Sequence, residues 1–427
     1  MAVQTGRTFV DAASAEPQPN VVASRAPLHG LRVIEVSSFV AAPLGGMTLA
    51  QLGADVIRVD PRGGAADRYR WPLAPSGASL YWAGLNKGKR SITVDFSHES
   101  GRDVIRDLVR TSPERSAVVL TNAVGRKWLS YDALVDIVPD LIHVQVEGKR
   151  DGSPAVDYTV NAELGFPLIT GPHGFADPVN HVLPAWDLAC GLYAALGVTA
   201  AALRRNETGE GESIHVALGD VALATAGNLG FLAEAQLTGV DRKRIGNHLY
   251  GGFARDFECA DGGRLMLVAL TDRQWRELIL VSQTGDAVSA LEKVLDADFT
   301  LETERYEHRE VLAALLSRWF ARRTLAEASE KLEATSVLWA PYRSFAEVSR
   351  EISGTPGHSL FSTVEQPGIG SYSAPGSPLR LASGETSAQP APLLGHDTAE
   401  LLQLAGRSDD EIARMAAAGI VGEGAYA

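Results

Sequence analysis

A chain of 427 residues, 45% hydrophobic and 21% charged, is long enough to bury a large core and suggests about two or three domains. Its formal net charge of −13 excludes a chain-wide affinity for nucleic acid or an anionic membrane, so an anionic ligand must be met by a local group of Lys and Arg. Its two cysteines, Cys190 and Cys259, form neither a disulfide framework nor a CxxC metal pattern and fit a reducing cytoplasm.

Residues 1–26 are rich in Ala, Ser and Pro without a continuous apolar run, and are expected to be a disordered extension, neither a signal peptide nor an anchor. No later segment holds the ~18 uninterrupted apolar residues that span a bilayer. Leu31–Val36 reads as a strand, Ser37–Pro43 as a loop, Leu44–Gly53 as a helix and Asp55–Asp60 as a second strand, together a β-α-β unit. Ligands of such units sit beyond the carboxyl ends of the strands, which makes Ser37–Pro43 a binding edge. GxGxxG is missing there, so a nicotinamide dinucleotide fits poorly.

Residues 62–75 read as a loop. Lys87, Lys89 and Arg90 precede the next strand and form either a phosphate contact or a solvated surface cluster. A helix over Gly101–Arg110 leads to a strand, Ala117–Asn122, that ends in Asn122 with Arg126 and Lys127 close behind. Asn122 is either a ligand-edge residue or a turn former. After the strand Leu141–Val146 comes a long irregular stretch, rich in Gly and Pro, that ends at Asp187; loops of this length are commonly functional.

Pro184 biases the residue before it toward extended geometry, and Leu188–Leu203 is rich in Ala and Leu. Asp187 therefore falls at or next to a helix N-cap, where its carboxylate faces orphan backbone N–H groups. Such an Asp is either a simple cap or a nucleophile whose acylated form those donors steady. The helix is predicted to stop near Asn206, before a strand at Ser213–Ala217 and a helix at Asp220–Ala235; His215 reads as a packed or surface histidine.

A second unit begins after Gly239, with a turn around Gly251-Gly252, a strand at Arg264–Ala269 and helices at Arg273–Ser282, Val288–Leu295, Glu310–Phe320 and Leu325–Leu332. The last part holds a helix at Phe345–Ile352, turn-rich segments at 365–370 and 373–378, and helices ending at Leu404 and Ala418. His396-Asp397 reads as a helix start before an acid–base pair.

Leu28–Val36 with Pro43, Leu52–Arg58, Asn86–Ile92, Thr121-Asn122, Asp187, Thr208–Gly211, Gly246-Asn247 and Pro390–Gly395 together resemble the class III, formyl-CoA-transferase-like CoA transferases, from about Leu28 to Val421. The resemblance implies an α/β fold with a Rossmann-like large domain built from both chain ends, a smaller α+β middle domain, and two subunits interlocked as a homodimer. The implied divisions are 27–235 for the first part of the large domain, 236–335 for the middle domain, and 336–427 for a linker and the rest of the large domain.

By the same resemblance Asp187 is the nucleophile, and Phe39, Val40, Ala41 and Asn122 line the CoA site, with Arg126 close to a CoA contact. Tyr250-Gly251-Gly252 matches the glycine-rich loop over the active site, with fewer glycines than the formyl-CoA transferases carry. The implied ligand is an acyl-CoA, with no cofactor beyond its CoA moiety, no metal, no nucleic acid and no membrane partner. The implied reaction moves CoA between the two carboxyls of one dicarboxylate. Transfer to a separate acid such as succinate, α-methylacyl-CoA racemisation, and CoA binding without turnover are the alternatives. Arg70, Lys89, Arg90, His181, His248 and Arg255 are candidates to hold the uncoupled carboxylate, and the sequence does not choose among them.

Overall fold

The computed structural model describes residues 26–382 and 387–422. The extension read over residues 1–26 therefore lies, except for Ala26, outside the described residues. Six parallel strands form the main sheet: β1 (Arg32–Val36), β2 (Asp55–Asp60), β3 (Arg90–Thr93), β4 (Ala117–Thr121), β5 (Ile142–Glu147) and β6 (Glu212–Ala217), in the order β3-β2-β1-β4-β5-β6. The order reverses between β1 and β4, where Ile34 pairs with Ile57 on one side and Val119 on the other. A crevice opens at such a switch point.

Alternate residues of each strand point to opposite faces, and both faces are covered, as continuous apolar strands require. Val33, Val56, Val118 and Ile142 pack under α1 (Ala41–Gln51), with α2 (Leu80–Leu85) nearby. The opposite face, with Ile34, Ile57 and Val119, packs on α3 (Glu99–Arg110), next to the short α4 (Tyr131–Val135). The stretch read as irregular before Asp187 contains two short helices, α5 (Asp157–Glu163) and α6 (Phe166–Ile169), hidden in sequence by their flanking Gly and Pro. It is followed by α7 (Ala185–Thr208). The single helix expected over Asp220–Ala235 is two, α8 (Leu218–Asn228) and α9 (Phe231–Thr238), because Gly230 takes a left-handed conformation between them.

A second body holds the antiparallel strands β7 (Phe253–Glu258), β8 (Arg264–Ala269) and β9 (Leu338–Pro341). Its helices are α10 (Asp272–Ser282), α11 (Gly285–Leu295), α12 (Glu302–Glu307), α13 (Arg309–Phe320) and α14 (Leu325–Glu333), around Phe253, Phe257, Trp275 and Phe320. After α15 (Phe345–Gly354) comes a hairpin, β10 (Phe361–Gln366) with β11 (Gly370–Pro375); the turn-rich reading of 365–370 holds at its turn, residues 367–369, while that of 373–378 falls partly on β11. The chain then returns to the parallel sheet. Leu401 and Leu402 of α16 (Thr398–Leu404) and Met415 of α17 (Asp409–Ala417) join the core beneath Ile34, and Asp397 accepts the Ser91 N–H at 2.7 Å.

Two glycines fix the approach of α1 to α7. A Cβ at Gly191 would lie 2.5 Å from Ala41 O, and one at Gly45 would lie 3.0 Å from Gly191 O. Both helices therefore cross at backbone contact, which brings the start of α7 beside the start of α1. The 24-residue α7 is long and apolar enough by composition to cross a membrane, but one face packs on α1 and the sheet. Its other face leaves Leu192 (54%), Leu196 (60%) and Leu203 (65%) exposed in the single chain.

Candidate active site

The loop after β1 rests on a buried ionic network. Arg58 Nε meets Asp60 at 2.9 Å and its Nη2 meets Asp67 at 3.1 Å, while Lys89 Nζ meets Glu35 at 2.8 Å, all with side chains 1% exposed or less. Burial alone would lower the Arg58 pKa, but Asp60, Asp67 and Glu35 raise it above the usual range and keep the guanidinium charged. Gly46 is required beside this network, because a Cβ there would overlap Glu35 Oε2.

Asp67 reaches out of the network to accept the Phe39 N–H at 3.0 Å, and Phe39 holds φ at +67°, a left-handed conformation unusual for a bulky side chain. Asn122 clamps the preceding residue: its Oδ1 accepts the Ser38 N–H at 3.1 Å and its Nδ2 donates to Ser38 O at 2.8 Å. The backbone then enters α1 at Ala41, three residues earlier than the sequence pattern suggests, because Pro43 is tolerated in a first helical turn. The N–H groups of Val40 and Ala41 have no acceptor among the described residues.

Asp187 is the third residue of α7. The expectation that its carboxylate would face the orphan donors of its own helix is corrected. Asp157 Oδ2 takes the Trp186 N–H at 2.8 Å and the Asp187 N–H at 3.2 Å. Asp157 thus caps α7 from 30 residues away, and the Asp187 carboxyl is directed elsewhere, into a cavity of about 650 Å³ that Phe39, Val40, Ala41, Arg70 and Tyr81 also line. Burial, then the charge of Asp157, push the Asp187 pKa up to about 6, while Arg70 opposes them. Tyr81 is pushed up to about 12 by burial, with Arg70 opposing and Asp187 adding to the rise, so its O–H stays protonated. Tyr81 Oη and Asp157 Oδ1 are both buried without a hydrogen-bond partner among the described residues.

Phe39, Val40, Ala41, Asn122 and Asp187 thus come together on one cavity. Arg126 does not join its lining and lies 5.5 Å over the Phe96 ring. Within one chain Tyr250, Gly251 and Gly252 also lie outside the lining; Tyr250 packs 5.3 Å from Tyr306 and donates its O–H to Glu234. Of the six candidates for a carboxylate partner, only Arg70 lines the cavity. Lys89 is enclosed with Glu35, Arg90 pairs with Glu400 and Asp55, and His248 and Arg255 pair with Glu310. His181 packs edge-on to Trp186 at 6.2 Å. Lys87, Lys89 and Arg90, read as either a phosphate contact or a solvated surface cluster, are buried or paired instead: Lys87 donates to Pro375 O at 2.9 Å, Lys89 meets Glu35, and Arg90 pairs with Glu400 and Asp55. Asp157, Asp67 and Tyr81 were missed in sequence; an Asp directly after an extended Val156 is a cap signal, but nothing local identifies the helix it caps. The carboxylates of Glu304 and Glu307 converge with His308 on the second body, outside the cavity lining.

Residues 28–398 match CoA-transferase family III. The chain is 50% identical over 398 residues to the 2-methylfumaryl-CoA isomerase of Chloroflexus aurantiacus, covering 92% of this chain and 97% of the relative. It is 29% identical over 402 residues to the succinyl-CoA:mesaconate CoA-transferase of Haloarcula hispanica, covering 89% of this chain and 96% of the relative. A crystal structure of a CAIB/BAIF family protein from Brucella suis superposes with a TM-score of 0.72 at 25% identity, over 90% of this chain and 100% of that one.

Proposed function

The chain belongs to CoA-transferase family III and is an enzyme of that kind, and from that premise we propose that it converts 2-methylfumaryl-CoA to 3-methylfumaryl-CoA by moving CoA between the two carboxyls of one acid. The half-identical relative supports this substrate. The observation that carries the chemistry is Asp187, a carboxylate raised to about 6 in the cavity at the sheet's switch point, beside two backbone N–H groups without acceptors.

In the proposed sequence, Asp187 attacks the thioester carbonyl and expels CoA thiolate, leaving a mixed anhydride. The thiolate attacks the Asp187 carbonyl, giving an aspartyl-CoA thioester and freeing the substrate carboxylate. The acid's other carboxylate attacks that thioester, again expelling thiolate. Thiolate then attacks the substrate carbonyl of the new anhydride, which returns Asp187 and forms the isomeric thioester. One thioester replaces another, so no ATP, metal or cofactor beyond the CoA moiety is required. With the α7 donors capped by Asp157, the Val40 and Ala41 N–H groups are the proposed oxyanion donors. Water must be kept out, because anhydride and thioester both hydrolyse.

The proposed assembly is an interlocked homodimer, which would cover the exposed apolar face of Leu192, Leu196 and Leu203 and bring the Tyr250–Gly252 loop to the cavity of the other subunit. A reducing cytoplasm suits the two buried free thiols.

Acid-quenched mixtures of protein and 2-methylfumaryl-CoA, analysed by mass spectrometry, test the covalent path. A CoA adduct on the peptide containing Asp187, missing from Asp187→Asn, is expected. Full turnover by Asp187→Asn would overturn the reading.

A further inference from the structure

We propose that Arg70, held between the rings of Phe39 and Tyr81, is the subsite for the acyl group's uncoupled carboxylate, which restricts the cavity to CoA esters of dicarboxylic acids. The inference rests on the reading above only for the reaction; the subsite is argued from the cavity itself.

The Arg70 guanidinium lies 5.5 Å over the Phe39 ring and 5.1 Å over the Tyr81 ring. Both ring faces are negative, so they steady the cation and restrict where it can point. No carboxylate of the described residues forms an ion pair with it, although Asp157 and Asp187 border the same cavity. With no carboxylate of the described residues in ion-pair contact, the fork of donors on Arg70 is open to a carboxylate of the ligand. The Tyr81 O–H adds an unpartnered donor next to it, and its raised pKa keeps that proton in place.

Charge makes such a cation necessary. A dicarboxylic acid bound through one carbonyl brings its second carboxylate into a space that Asp187 and Asp157 already border, and like charges so placed repel. Arg70 offsets that repulsion. It also holds the acid during the stage when both of its ends are free carboxylates and CoA is attached to Asp187. One end can then rest on Arg70 while the other attacks, which lets the ends exchange roles without release.

Binding tests this without turnover. In an Asp187→Asn background, succinyl-CoA and butyryl-CoA share chain length and differ in a terminal carboxylate against a methyl group. Arg70 predicts that succinyl-CoA binds tighter by on the order of tenfold, and that adding Arg70→Met removes the preference by weakening succinyl-CoA alone. Arg70→Lys should keep part of it, and serves as the second variant if Arg70→Met melts early. A preference that survives Arg70→Met would overturn the proposal, as would its absence before the change. Equal weakening of succinyl-CoA, butyryl-CoA and free CoA would place Arg70 on the CoA phosphates and also overturn it. Failure of the unaltered enzyme to isomerise 2-methylfumaryl-CoA, with the succinyl preference and its loss intact, would instead reject the reaction and leave the subsite standing.

Discussion

The carboxylate of Asp157 accepts the backbone N–H of Asp187 at 3.2 Å, so one aspartate fixes the main chain of the other while its charge raises the other's pKa. A nucleophilic carboxylate gains from both effects. Its position is set by a helix start that cannot rotate freely, and its basicity rises with its pKa.

Asp157→Asn keeps the size of that cap and removes its charge. The Asp187 pKa should fall, moving the acid limb of kcat/KM to lower pH, while kcat drops as the nucleophile becomes less basic. Weakening the cap should also cost about 1 kcal/mol of stability. A pH–rate profile together with urea unfolding checks both effects; an unmoved acid limb would count against the electrostatic role.

In the unaltered enzyme Asp187 must be ionised to attack. With its pKa at about 6, kcat/KM should fall roughly tenfold per pH unit below that value and level off above it. Arg70 opposes the rise, so Arg70→Met should shift the limb upward, opposite in direction to Asp157→Asn. The two shifts can be read in one set of profiles.

Ionised Asp187 should also lower stability. Its folded pKa lies above its unfolded one, so the folded chain holds the proton more tightly; the penalty is missing below about pH 4, grows through about pH 6 and is complete above. Asp187→Asn should therefore raise unfolding free energy by about 1–3 kcal/mol at neutral pH and by little at pH ~4. Denaturant midpoints at the two pH values give the answer.

Gly191→Ala places a methyl group 2.5 Å from Ala41 O, at the crossing of α1 and α7. Backbone must shift, at a cost of about 1–3 kcal/mol. Because Asp187 lies one turn before Gly191, kcat should fall by more than CoA binding does. Thermal melting and a KM-against-kcat comparison separate the two effects.

Asp67→Asn removes one partner of Arg58 and weakens the hold on Phe39. Breaking a buried ion pair from one side costs about 3–5 kcal/mol, so the melting temperature should drop sharply, and CoA should bind more weakly through the loosened loop. An unchanged melting temperature would show that Asp60 and Glu35 suffice.

The β1-α1-β2 unit was legible in sequence, because apolar runs of strand length alternate there with a helical pattern, and the loop it pointed to, after β1, lines the cavity. The resemblance of scattered motifs added the family and singled out Asp187. What stayed hidden is long-range. The donors assumed to serve Asp187 are taken by Asp157, 30 residues earlier in the chain, and no local pattern reports such a cap. Arg70 could not be chosen from the six candidates until the fold showed that it alone among them lines the cavity. The strands of the hairpin escaped notice because Gly and Pro cluster at its turn and along β11, which hides the pairing with Phe361–Gln366.

The most direct test of the central claim is to give purified protein 2-methylfumaryl-CoA, no other thioester, and labelled free mesaconate, and to separate the two isomeric thioesters by chromatography over time. Formation of unlabelled 3-methylfumaryl-CoA is predicted, with CoA passing between the ends of an acid that never leaves. No conversion until a separate acid such as succinate is supplied, or label entering the product at the rate it forms, would contradict it.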